Sequence, residues 1–310
     1  MKKEMTVREV ALKWIEEKRL HVKKSTYGVY LQILNNHIIP ELGDHADPDE
    51  ETLRRFAMGK IEGGLNVKTV KDILVVYGML WRYGVKNGSF ASAYWSIKLP
   101  HAPEPPRLAI FSVVHQRMIA RYVMSNFTFR NLGIYICLGT GMRIGEVCGL
   151  KWGDIDMLNK VICVKRTVAR IYEPADGTGA SRYPLMEGAP KTPSSLREIP
   201  LSSELYRMLR PLVKLMNPEH YILTNEPSPT EPKTYRNYYN RLLDSLGIPH
   251  VKFHGLRHSF ATRCIESRCD CKTISSILGH ADVRTTLNLY VHPDVEQKRR
   301  CVDKMWRTIR

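Results

Sequence analysis

Lys252-Phe253-His254-Gly255-Leu256-Arg257-His258 decides how this 310-residue chain is read, taken with Leu278-Gly279-His280 and with Tyr290. His254 and Arg257 stand three apart, so on a helix they share one face, one turn apart. Gly279 has the character of a helix C-terminal stop, which leaves His280 at the first irregular position beyond it. Tyr290 follows inside Thr285-Thr286-Leu287-Asn288-Leu289-Tyr290. Two imidazoles, a guanidinium and a phenol within one short segment suit one task, which is to hold a phosphodiester and attack it with an oxygen.

The formal net charge is +16, and residues 1–100 carry only +4 of it. Such a field favours polyanions, nucleic acid first and an anionic membrane surface second. The apolar run from Asn131 to Met142 is too short to span a bilayer and suits a buried helix. Met1-Lys2-Lys3-Glu4 leads into an amphipathic helix and not into an apolar signal region. Seven cysteines form no framework spacing, and Cys269-Asp270-Cys271 is the only close pair. Reduced cytosolic thiols are therefore expected rather than a zinc site.

Thr6-Val7-Arg8-Glu9 is a capping box, and Val7, Val10, Ala11, Trp14 and Ile15 repeat behind it at the helical period. A second helix starts near Ser25 or Thr26 and is expected to end before Pro40. A third runs through Leu53, Phe56, Ala57 and Ile61 to Gly63-Gly64, and a fourth follows Asn66. Residues 1–98 thus read as a small helical domain. Lys23, Lys24, Lys68 and Lys71 lie near its helix starts, either as an ordinary solvated face or as a DNA clamp, and the charge of the whole chain favours the clamp. Residues 99–107 hold four prolines and read as a semi-rigid linker. From 108 to 310 the pattern is helices around a small antiparallel sheet, so the class is mainly α with a small β component (α+β). Ser112 caps a helix to about Met124, and a second helix reaches Leu138 before Gly139-Thr140-Gly141 breaks it. Arg143 opens the next helix with Glu146 three residues on, either as an ordinary ion pair or as a positioned site. Residues 161–164 read as a buried strand extended by 168–172. Residues 173–189 read as a long loop, and 197–201 as the returning strand. Helices return at Ser202–Leu215 and Thr234–Leu246. Tyr235, Tyr238 and Tyr239 compete as nucleophiles on composition alone. Periodicity makes Tyr235 and Tyr238 core residues, and none of the three lies beyond His280. His250 and His258 read as packed or structural histidines.

His-x-Leu-Arg-His, then Leu-Gly-His, then a downstream Tyr resembles the tyrosine recombinase (phage integrase) family. Thr140-Gly141-Met142-Arg143-Ile144-Gly145-Glu146 resembles its first-arginine motif, and residues 189–201, from Ala189-Pro190-Lys191 to Ile199-Pro200-Leu201, resemble its lysine hairpin. The long loop before Lys191 is most like that of conjugative-transposon integrases. The resemblance implies a helical core-binding domain ahead of a catalytic domain, on opposite sides of a DNA duplex. It implies Tyr290 as nucleophile and Lys191 as the acid for the leaving 5′ oxygen. Arg143 and Arg257 can each fork two N–H bonds onto phosphate oxygens, and His280 can add another donor. His254 is placed either to take the phenol proton or to act as a donor only. The product would be a 3′-phosphotyrosyl bond, made without ATP, cofactor or metal.

Three functions fit this set: a site-specific recombinase, a type IB topoisomerase-like DNA relaxase, and a non-catalytic DNA-binding regulator. The complete catalytic set favours the first. Partners expected are double-stranded DNA, a homo-tetramer on two DNA sites and an accessory DNA-bending or directionality protein, with no membrane. Many integrases carry an arm-binding domain ahead of the segment that begins here near Thr6, so binding to core sites alone, or with accessory proteins, is expected. Beyond Tyr290, Val295, Val302, Met305 or Trp306, and Ile309 form an apolar stripe on a last helix with a basic opposite face. This tail either packs on its own domain or, as the resemblance implies, docks on a neighbouring protomer.

Overall fold

The computed structural model describes residues 5–91, 95–101, 109–174, 181–190, 193–290 and 295–309. The chain divides into two compact units, one of Met1–Pro106 with Arg170–Leu185 and one of Arg107–Ala169 with Met186–Arg310.

The first unit is helical. Thr6 Oγ1 accepts from the Glu9 backbone N–H while Glu9 Oε2 accepts from that of Thr6, starting α1 (Val7–His21). α2 (Lys24–Ile33) runs through a wide π turn (Leu34–Ile38) into α3 (Ile39–Leu42). The helix therefore does not end before Pro40. The Ile39 N–H reaches back five residues to Leu34 O, and Pro40 falls in the first turn of α3, where no donor is needed. Asp49 and Asn66 cap α4 (Glu50–Glu62) and α5 (Val67–Lys86) with their side chains. Val10, Trp14, Leu34, Phe56, Ile73 and Tyr77 fill the core between these helices. Each large apolar side chain buried there contributes about 1.5–3 kcal/mol. Residues 170–185 group with this unit although the sequence puts them in the second. Tyr172 is buried, and its phenol oxygen accepts from Asn35 Nδ2 at 3.3 Å.

The second unit opens with α6 (Val113–Ser125), capped by Ser112, then α7 (Phe129–Thr140) and α8 (Ile144–Cys148). β1 (Ile155–Asp156), β2 (Val161–Val164) and β5 (Arg197–Pro200) form an antiparallel sheet in the order β1-β2-β5, with Ile162 opposite Ile199 and Val164 opposite Arg197. β3 (Thr167–Arg170) pairs with β4 (Leu185–Gly188) in a separate two-stranded sheet. Residues 168–172 thus do not extend β2, and the expected loop contains a strand that its flanking Gly and Pro hide. α9 (Ser203–Leu215), α10 (Pro232–Ser245), α11 (His254–Glu266), α12 (Cys271–Leu278), α13 (Val283–Tyr290) and α14 (Val295–Thr308) complete the unit. Along α10 the buried tyrosines are Tyr235 and Tyr239, not Tyr238. Tyr239 packs on Phe253 at 5.0 Å between ring centroids. Tyr238 is half-buried, its ring parallel to that of Tyr235, and its hydroxyl donates to Asn131 Oδ1 at 2.7 Å. A 3.6-residue period brings both i+3 and i+4 near one face, and the packing of Phe253 selects i+4. Among the described residues no helix is long and apolar enough to cross a membrane.

Candidate active site

Two helices end in left-handed glycines, and these ends build the site. α7 closes at Gly141, φ +64°, and α12 at Gly279, φ +67°. A Cβ on Gly141 would come within 2.8 Å of Leu278 Cδ2, and one on Gly279 within 2.8 Å of Ser194 O, so each position demands glycine on both conformation and space. The turns leave carbonyls pointing to a common centre. Arg257, 1% exposed on α11, donates from Nη1 to Gly141 O at 3.0 Å and from Nη2 to Leu278 O at 2.7 Å. Arg143 Nη2 donates to Gly279 O at 3.1 Å. A buried guanidinium is costly unless its charge is met, and helix C-terminal carbonyls, carrying the negative end of the helix dipole, meet it here.

Arg143 is the N-cap residue of α8, and its partner is Glu146, as its spacing suggests. Arg143 Nη1 donates to Glu146 Oε1 at 2.7 Å, and its backbone N–H to Oε2 at 2.9 Å. Glu146 is 3% exposed and holds a second cation. Arg197, on β5, forks onto both Glu146 oxygens at 3.0 Å each and sends Nε to Ile277 O at 2.6 Å. Burial alone would raise the Glu146 carboxyl, but the Arg197 fork and then Arg143 more than offset it and hold the group below its usual range. Glu146 is therefore an anion fixed between two arginines, one of which keeps N–H groups toward an open pocket. That pocket, about 310 Å³, is lined by Arg143, Glu146, Pro190, Ser195, Gly279 and His280.

His280 follows the Gly279 turn, its backbone N–H closing onto Ser275 O at 3.0 Å. Its Nδ1 lies 2.8 Å from Oγ1 of the buried Thr286. With the Thr286 hydroxyl donating, the ring keeps an Nε2–H donor for the pocket. His254 packs edge-on against His258 at 4.5 Å between centroids and keeps one side open. Burial first, then the positive fields of His258, Arg257 and Arg143, lower His254 to about 4. Burial first, then Arg257, Arg143, His254 and Arg197, lower His280 to about 4. Both imidazoles are thus neutral near pH 7. In the unfolded chain they take up protons near 6.5, while the folded state resists until about 4, so the unfolded state binds more protons in that window. Stability is expected to fall as pH drops from about 6.5 toward 4, and Glu146 adds a loss in the same direction below its own unfolded value. Urea unfolding at stepped pH checks this, and His254→Asn with His280→Asn should flatten the slope.

Arg143, Glu146, His254, Arg257 and His280 therefore come together. Lys191 lies outside the described residues, but Pro190 and Ser195, on either side of it, both line the pocket. The backbone of Tyr290 ends α13. Lys23, Lys24, Lys68 and Lys71 are exposed on the first unit, with Lys68 and Lys71 lining a groove of about 1060 Å³ together with the half-buried Trp81 and Trp95. His250 is exposed and pairs with Asp244 at 2.6 Å. Two residues of the site, Arg197 and Thr286, are not among those that the sequence singles out. Arg197 stands in the quoted lysine-hairpin motif, but only the fold brings it to Glu146.

Residues 123–297, more than half of the chain, match the model of the phage integrase family, and residues 6–46 match the phage integrase N-terminal SAM-like domain. The chain belongs to the phage integrase family. Among curated relatives of this integrase-family chain, a XerC-like tyrosine recombinase of Caldanaerobacter subterraneus subsp. tengcongensis is 28% identical over 272 residues, covering 82% of this chain and 69% of the relative. The transposase of transposon Tn916 from Enterococcus faecalis is 28% identical over 178 residues, covering 51% of this chain and 41% of the relative. A Tn1549 transposon integrase solved in complex with a circular intermediate DNA shares the fold, with a TM-score of 0.77, 22% identity and coverage of 97% and 99% of the two chains. Lambda integrase bound to DNA is similar with a TM-score of 0.61 and 18% identity, over 94% of this chain and 100% of that one.

Proposed function

We propose that this chain is a site-specific DNA recombinase that cuts and rejoins strands through a 3′-phosphotyrosyl intermediate. The observation that carries this reading is the convergence of Arg143, Arg257 and His280 around the carbonyl-lined ends of α7 and α12. Three donors of that kind suit the non-bridging oxygens of one phosphodiester, whose charge grows in the transition state. Tyr290 Oη bonds to phosphorus as the bond from phosphorus to O5′ breaks. The phenol proton passes to neutral His254, and the Lys191 ammonium gives a proton to O5′, leaving a free 5′-hydroxyl. Attack by a 5′-hydroxyl of a second strand reverses each transfer and restores Tyr290. No net phosphodiester energy is lost, which is why the step needs no ATP.

The partners follow from the same reading: duplex DNA and, on two sites, a homo-tetramer, in a bacterial cytoplasm or nucleoid. The solved complexes of Tn1549 and lambda integrases hold DNA, and a lambda integrase tetramer binds a Holliday junction. α14 supports assembly in this chain. Val295, Val302, Met305, Trp306 and Ile309 are all exposed along it, an apolar stripe with no cover within the described part of the unit. The exposed lysines of the first unit read as phosphate-binding groups. Replacing Lys23, Lys24, Lys68 and Lys71 by Ala is expected to lower the log–log salt slope of duplex binding by about 0.9 for each phosphate no longer neutralised. The test of function is to express the chain beside plasmids carrying its native flanking DNA and to sequence the junctions. New junctions joining two sites support a recombinase. Relaxed supercoils without any joined sites would contradict it.

A further inference from the structure

We infer that Glu187, held by Arg166 and Tyr221, is a positioning residue for the leaving-group acid Lys191. This rests on the assignment of Lys191 proposed above. Glu187 lies on β4, four residues before Lys191. Its Oε1 is 3.2 Å from Arg166 Nε, and its Oε2 accepts from the Tyr221 hydroxyl. Both anchors are tied further into the second unit. Arg166 also holds the buried carboxylate of Asp154, which in turn accepts from the Lys151 backbone N–H at 3.0 Å. Tyr221 is 5% exposed and its backbone N–H bonds to Glu226 O at 2.9 Å. Burial, and next its bond to Glu187, push the Tyr221 phenol up to about 12, so it remains a donor.

The clamp adds a charged anchor to a strand that has few others. β3 and β4 form a two-stranded sheet, a structure only marginally stable by itself. On β4, Leu185 and Met186 are half-buried and Glu187 and Gly188 exposed, so no apolar core fixes the strand. Four residues span at most about 14 Å, so where Glu187 is held bounds how far Lys191 can reach. At the other end Pro190 is buried and lines the catalytic pocket. The chain therefore leaves a charged anchor and arrives at the pocket wall immediately before Lys191.

Glu187→Gln and Tyr221→Phe are to be compared with Lys191→Ala on two nicked suicide substrates, one with the natural bridging 5′ oxygen and one with a bridging 5′ sulfur, which leaves without protonation. With oxygen, Glu187→Gln is expected to cleave about 10- to 100-fold more slowly, the scale of a displaced catalytic group, and Tyr221→Phe less so. With sulfur both should cleave at close to the wild-type rate, and duplex binding should be unchanged. Lys191→Ala must be slow with oxygen and rescued by sulfur. If it is not rescued, the assignment of Lys191 fails and the inference with it. If Lys191→Ala is rescued while Glu187→Gln and Tyr221→Phe are equally slow on both substrates, or equal to wild type on both, the clamp does not position the acid and the inference is overturned. Tyr221→Phe keeps the ring and removes only the hydroxyl, so it carries the test if Glu187→Gln does not fold.

Discussion

Tyr290→Phe is expected to bind duplex DNA with unchanged affinity and to form no covalent adduct on a nicked suicide substrate. The loss should be roughly 10⁴-fold or more, the scale seen when an enzymatic nucleophile is removed. The substitution deletes one oxygen and keeps the rest of the side chain, so the fold and the phosphate-binding groups stay in place. Two of the three alternatives on α10 cannot supply the attack. Tyr235 and Tyr239 are fully buried, with hydroxyls donating to Arg130 O at 2.8 Å and Val251 O at 2.9 Å. Burial first raises both phenols far above the usual value, which makes them poor nucleophiles. Gel separation of protein–DNA adducts on the suicide substrate checks the outcome. An adduct that persists in Tyr290→Phe moves the nucleophile elsewhere.

Removing residues 296–310 is expected to leave binding to a single site within about 2-fold of normal and to abolish both cooperative two-site complexes and recombination. The exposed face of α14 motivates this. Trp306 is 55% exposed and Val302 52%, and on a helix that follows Tyr290 so closely such a face calls for a partner surface. A head-to-tail interface between identical subunits closes into a ring where its rotation allows, and would tie the state of one tyrosine to the next protomer. Native gels with two labelled sites, together with a plasmid recombination assay, read both effects. A truncated chain that still forms two-site complexes and recombines at the normal rate would make the tail a local packing element.

Much of the site is legible in the sequence because its parts are local. Arg257 three residues after His254, the glycine before His280 and Glu146 three residues after Arg143 are all spacings that a helix or a helix end turns directly into geometry. What escapes is what the fold alone brings together. Arg197 meets Glu146 across 51 positions and Ile277 across 80, and no window of sequence contains both ends. Thr286 reads as one more residue of an amphipathic helix until His280 turns back to its hydroxyl. The helical unit reads well from its caps, yet Pro40 misleads, since a π turn lets the chain carry a proline past a point where a regular helix would stop. β4 is missed because Leu185–Gly188 is four residues between Pro184 and Ala189-Pro190, and its pairing with β3 lies outside that window. Tyr238 and Tyr239 differ by one position on the same helix, and only Phe253 decides between them.

If this site breaks DNA by transferring a 3′ phosphate to Tyr290 with cationic and neutral donors alone, the covalent product itself must show it. The direct measurement is to trap the wild-type adduct on a nicked suicide substrate in excess EDTA, digest it with protease and nuclease, and sequence the phosphorylated peptide by mass spectrometry. The adduct is expected to form at the same rate with and without EDTA, with a 3′-linked nucleotide on Tyr290 in the peptide that contains Thr285-Thr286-Leu287-Asn288-Leu289-Tyr290. A nucleotide on any other residue, linkage through a 5′ phosphate, or an adduct that forms only when Mg²⁺ is restored would contradict it.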